Sequence, residues 1–135
     1  MRWDEMKNII VTTPKSEMEN AAQEAQECLV AGSGFYFRKI GKKPKDIKIG
    51  KSKIYYVEDG YVRGFGLIGG LVTGQQKCEV TGRTWGDENS CFVVMASCTW
   101  KWIKPIPMKG FQGFRYFDDS QVEVVGEWTD PKPQV

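Results

Sequence analysis

The chain contains no histidine. That removes the commonest general base, and with it the Ser-His-Asp and Cys-His triads. The four cysteines, Cys28, Cys78, Cys91 and Cys98, include no Cys-x-x-Cys pair. Structural zinc sites bring close ligand pairs, so a metal centre is not expected, and the thiols read as reduced and mostly buried. No stretch approaches the roughly 20 apolar residues of a membrane span. The opening Met1-Arg2-Trp3-Asp4-Glu5 lacks the charged-then-apolar layout of a signal peptide. These absences give the expectation of a cytoplasmic protein without membrane contact. Thr81-Gly82-Arg83-Thr84-Trp85-Gly86 lacks the Gly-Lys-Thr/Ser ending of a phosphate loop. Gly64-Phe65-Gly66 lies inside a hairpin pattern rather than at a strand-to-helix turn, which argues against a dinucleotide fingerprint. No cofactor is expected.

What is present fits one domain spanning residues 1–135, with no internal repeat and no linker, and a loose, proline-containing tail at 130–135. Asn8-Ile9-Ile10-Val11-Thr12-Thr13 is β-branched and reads as a strand. Ser16 followed by Glu17-Met18-Glu19 forms a capping box, in which Ser16 accepts an orphan amide and Glu19 reaches back. The spacing of Met18, Ala21, Ala22, Ala25, Cys28 and Leu29 predicts a helix from Ser16 to about Ala31, stopped at Gly32. Beyond it the pattern predicts strands at 35–40, 53–57, 61–68, 91–96, 114–117 and 122–125, with a polar excursion over 71–90. Asp59-Gly60 between two apolar runs is a strong hairpin signal, because both central residues tolerate positive φ. Gly64, Gly66, Gly69 and Gly70 suit a strand that bends at a barrel corner. The expected fold is α+β: a small, bent, mostly antiparallel β-barrel with one or two packed helices.

The net charge of +2 hides an asymmetry. Residues 38–53 hold eight basic side chains against Asp46 alone, a balance of +7, while the remaining 11 basic and 16 acidic residues give −5. Such contrast steers an anionic partner, although a lysine-rich loop also serves simply to keep a protein soluble. A second run, from Trp100 to Phe117, holds no acidic residue and interleaves Lys101, Lys104, Lys109 and Arg115 with six aromatic rings. Bases stack on rings while nearby cations hold phosphates. The candidate nucleic-acid contacts are Arg38, Lys39, Lys42, Lys43 and Lys45 from the first segment, and Trp100, Trp102, Lys104, Lys109, Phe111, Gln112 and Arg115 from the second. Trp100 and Trp102 share one face of an extended strand, and Gln112 offers an amide to a base edge. The alternative for these rings is that they fill the core.

The element order resembles the PUA-like superfamily, which includes the ASCH and EVE domains. The features that carry it are the early helix ending at Gly32, then Phe35-Tyr36-Phe37-Arg38, then Ile49-Gly50-Lys51-Ser52-Lys53-Ile54-Tyr55-Tyr56. The hairpin Glu58-Asp59-Gly60-Tyr61-Val62-Arg63-Gly64 and the late Gly110-Phe111-Gln112-Gly113-Phe114-Arg115-Tyr116 complete it, over roughly residues 16–117. The resemblance implies a bent barrel that binds RNA or modified bases in DNA or RNA. ASCH domains often carry Gly-x-Lys-x-x-Glu-x-Arg after the early helix; here that register reads Gly32-x-Gly34-x-x-Phe37-x-Lys39. The absent lysine and glutamate argue against the nucleoside amidohydrolase activity implied for some members. The expected function is recognition of RNA, or of a modified or flipped base, in an aromatic-basic pocket. A small hydrolase acting on a modified nucleoside and a protein-interaction domain are the alternatives.

Overall fold

The computed structural model describes residues 6–12, 35–40, 42–77, 82, 84–96, 99–127, 130 and 133. They form β1 (Asn8–Thr12), β2 (Phe35–Lys39), β3 (Lys53–Glu58), β4 (Tyr61–Thr73), β5 (Gln76–Lys77), β6 (Thr84–Trp85), β7 (Cys91–Ala96), β8 (Lys101–Pro107), β9 (Phe114–Phe117) and β10 (Val124–Glu127). The expected α+β class is corrected: the described residues contain no helix and make a curled, half-barrel sheet. The helix expected at 16–31 lies outside them. Among the described residues, those packed on both faces of the central strands come from other strands and from loops. No helix among the described residues is long and apolar enough to cross a membrane.

The sheet follows the order β10-β8-β4-β3-β1-β9, and β7 joins β4 to β2. β4 makes this possible, because its 13 residues serve two neighbourhoods. Its first half pairs with β3 and β8, and its second half, from Ile68 to Thr73, pairs with β7. The register shifts between Ile68 and Gly70, and a bulge of this kind bends a strand and curls its sheet. Asp59 (φ 54°) and Gly60 (φ 80°) link β3 to β4 in the tight hairpin expected of Asp-Gly. β1 and β3 pair in parallel, through the long 13–52 connection that a parallel pair requires. Parallel strands are covered on both faces, and accordingly Ile9, Ile10 and Val11 are all buried, as are Ile54, Tyr55, Tyr56 and Val57.

Alternation along these strands creates two cores. The interior of the curl holds Ile9, Val11, Ile54, Tyr56, Ile68, Val93, Met95, Trp100 and Trp102. The outer face holds Ile10, Tyr55, Val57, Val62, Phe65 and Ile103, closed over by Met108, Phe111, Phe117 and Val122. In the interior, Trp100 lies directly on the backbone of β4. A Cβ at Gly64 would come within 2.5 Å of its Cζ2 and 2.4 Å of the Lys101 carbonyl oxygen. In the outer core Tyr55 packs between Phe65 and Phe117, with ring centroids 5.1 and 4.7 Å away. Its hydroxyl donates to Asp119 Oδ2 at 2.8 Å, and Lys53 Nζ pairs with the same oxygen at 3.4 Å. Burial, then the hydrogen bond to Asp119, then that carboxylate's charge push the phenol well above its ordinary value of 10.0.

Two outcomes follow from this packing. Gly64→Ala forces a clash with backbone and an indole, and should destabilise the fold by about 1–3 kcal/mol, a fall in Tm of roughly 5–10 °C. Gly69→Ala, whose Cβ would meet only the Val94 carbonyl oxygen at 3.6 Å, should stay within a degree or two in the same thermal melt. For Tyr55 the folded state holds the phenol neutral while the unfolded chain ionises near 10. Its contribution is therefore complete below that pH and lost as pH rises above it. The stability advantage of wild type over Tyr55→Phe, from urea titrations at a series of pH values, should be constant up to about pH 9 and then shrink, by at most about 1.4 kcal/mol per pH unit.

Candidate nucleic-acid interface

The basic segment becomes a fixed loop because apolar residues punctuate it. Ile40 is buried in the interior core and Ile47 packs against it, while Pro44 is buried between them. With those side chains turned inward, Lys42, Lys43, Lys45, Lys48 and Lys51 face solvent. Backbone bonds tie the loop to three strands or their approaches. Ile40 N donates to the Cys91 carbonyl at 3.0 Å, Gly50 N to the Ile68 carbonyl at 2.8 Å, and Lys7 N to the Asp46 carbonyl at 2.8 Å. Ser52 Oγ accepts the Lys48 amide at 2.9 Å. The loop thus covers the end of the curl where β1 and β3 begin. Burial pushes the Cys91 thiol upward, and the charge of Lys43 offsets part of that push.

Beside this loop stands Tyr116 on β9, which the sequence reading had not singled out as a contact. The residue is 49% exposed. The Lys45 amide donates to its hydroxyl at 2.9 Å, and Phe114 meets the ring edge-on at 5.6 Å between centroids. Tyr116 is thereby held at two points while part of its surface stays open. An open groove of about 730 Å³ runs along the loop, lined by Lys43, Pro44, Lys45, Asp46, Ile47, Ile49 and Leu71. Cations, an exposed ring and apolar wall therefore adjoin one another.

The second segment is distributed differently from the expectation. Trp100 and Trp102 do lie on one side, as their spacing requires, but that side is the interior. They are 0% and 2% exposed, and pack edge to face at 5.5 Å. Trp102 Nε1 donates to the Asp130 carbonyl at 3.0 Å. Neither indole offers a face on which a base could stack, so the cradle expected of them is corrected to a core. Lys104 is exposed on β8, which β4, β3 and β1 separate from β9. It does not join the loop. Three expected residues gather around Thr12, at the other end of β9 from Tyr116. The Arg38 guanidinium donates to the Thr12 carbonyl, the Phe111 amide donates to Thr12 Oγ1 at 3.0 Å, and Arg115 lies over the Phe111 ring at 4.2 Å. Gln112 and Lys109 are exposed in the adjoining turn, and Lys39 is exposed on β2. The twelve expected residues thus fall into a loop group, a group around Thr12 and its adjoining turn, two separate lysines (Lys39 on β2 and Lys104 on β8) and two core indoles.

No family model, curated protein or solved structure matches the chain.

The placement of Trp102 predicts a particular kind of mutant. Trp102→Ala should cost about 3–5 kcal/mol of stability, as for a deleted buried indole, read as a lower urea midpoint. Trp102→Phe should recover part of that loss.

Proposed function

We propose that the protein is a nucleic-acid-binding module that uses its 42–51 loop to hold phosphates and Tyr116 to meet bases. The observation that supports this reading is the junction at Lys45. One residue places its ammonium group in a field of exposed lysines and its backbone amide on the hydroxyl of an exposed aromatic ring. Phosphate contact supplies most of the affinity of such modules, and ring stacking adds to it without demanding a base sequence. An enclosed pocket for one modified or flipped base is left out of the proposal, because the two indoles expected to build it are buried. Kinship with the PUA-like superfamily is proposed alongside, supported by the curled, barrel-like sheet and by nothing finer. The setting proposed is the cytosol, where thiols stay reduced.

Salt dependence tests the reading. Each phosphate contact releases bound counterions, so the slope of log affinity against log salt counts contacts. Replacing Lys42, Lys43 and Lys45 with Ala should weaken binding to all sequences alike and flatten the slope by roughly 0.7–0.9 per lost contact. Fluorescence anisotropy over a salt series measures both. An unchanged slope would reduce the loop to a solubilising element.

A further inference from the structure

We propose that the ligand of this surface is single-stranded RNA, with a base stacked on Tyr116, phosphates on Lys43 and Lys45, and a ribose 2′-hydroxyl donating to Asp46. The proposal rests on the nucleic-acid reading above and names the strand and sugar that reading leaves open.

The strand follows from the ring. Paired bases are stacked on one another and present only their edges, so an exposed aromatic surface has no use for a duplex. Tyr116 is half exposed yet fixed, by Phe114 on its edge and the Lys45 amide on its hydroxyl. A ring already held in place loses little freedom when a base settles on it, and that makes stacking net favourable. Ile49, 53% exposed, adds apolar wall to the groove that runs along the adjoining loop. Both features would be idle against a double helix.

The sugar follows from Asp46. It is the sole acidic residue in the 38–53 segment and lines the groove between Lys45 and Ile47. Its backbone has φ 61°, a conformation that glycine or asparagine would serve as well. The negative charge is therefore what the turn does not need, and it opposes phosphate binding. A carboxylate placed among cations that hold phosphates is suited to a hydroxyl donor. In nucleic acid the 2′-hydroxyl is the donor that distinguishes RNA from DNA. Hydrogen bonds to charged acceptors are among the stronger ones, enough for roughly tenfold discrimination.

The test is fluorescence anisotropy at one fixed salt concentration, with a short unstructured pyrimidine RNA, the DNA of matching sequence, and an RNA duplex of the same length. The single-stranded RNA should bind about tenfold or more tightly than either of the others. Tyr116→Ala should lower its affinity by roughly five- to a hundredfold, with a smaller loss for the duplex. Tyr116→Phe, which keeps the ring but loses the hydroxyl held by Lys45, should fall between wild type and alanine. Asp46→Gly, which keeps the turn, should erase the preference for RNA over DNA. A duplex bound as tightly as the single strand overturns the stacking assignment. DNA bound as tightly as RNA by the wild-type protein overturns the role of Asp46. If none of the three oligonucleotides binds, the nucleic-acid reading itself falls with the proposal.

Discussion

The bend in β4 is the constraint on which the rest of the molecule depends. One strand pairs with β3 and β8 along its first half and with β7 along its second, and it changes direction at the register shift between Ile68 and Gly70. That change turns a sheet into a curl with an inside. The inside must be filled, and Trp100 and Trp102 fill it next to Gly64, where no larger residue leaves room. The end of the curl must also be closed. Ile40 and Ile47 close it, which obliges the residues around them to face solvent, and most of those are lysines. The position of the charged loop is thus a consequence of packing inside the sheet.

Charge and burial pull against each other along this loop. Five exposed lysines between residues 42 and 51 repel one another, and Asp46 is the lone acidic residue among them. The apolar anchors and the backbone bonds to Cys91, Ile68 and Lys7 hold the arrangement together against that repulsion. An anionic ligand would relieve it. Some cations elsewhere are engaged: Lys101 pairs with Glu127 at 2.6 Å, Lys53 with Asp119, and Arg115 lies on Phe111.

Much of the sheet was legible because alternation and turn chemistry are local. The β3–β4 hairpin and strands β1, β2, β7 and β9 could be read directly, since Asp-Gly and runs such as Cys91-Phe92-Val93-Val94 declare themselves. Two strands were misjudged for local reasons as well. Gly69 and Gly70 look like the end of β4, yet the strand continues through them to Thr73 because a bulge absorbs the irregularity. The extended stretch expected around Trp100 and Trp102 was not counted among the strands, although β8 runs from Lys101 through Pro105 to Pro107. The site was less legible. A period of two tells which residues share a face, as with Trp100 and Trp102, and does not tell which face becomes the inside. That choice is made by the curl, which depends on pairings between distant segments. The same holds for Tyr116, whose exposure follows from the place of β9 at the end of the strand order.

Ligand is proposed to meet the 42–51 loop and Tyr116 rather than the tryptophan-rich run. Amide chemical-shift mapping of the protein, titrated with a short single-stranded RNA, separates the two surfaces. Shifts should concentrate at residues 42–51 and at Phe114, Arg115 and Tyr116, with β8 and β10 unmoved. Shifts centred on residues 100–104, with the 42–51 loop silent, would contradict it.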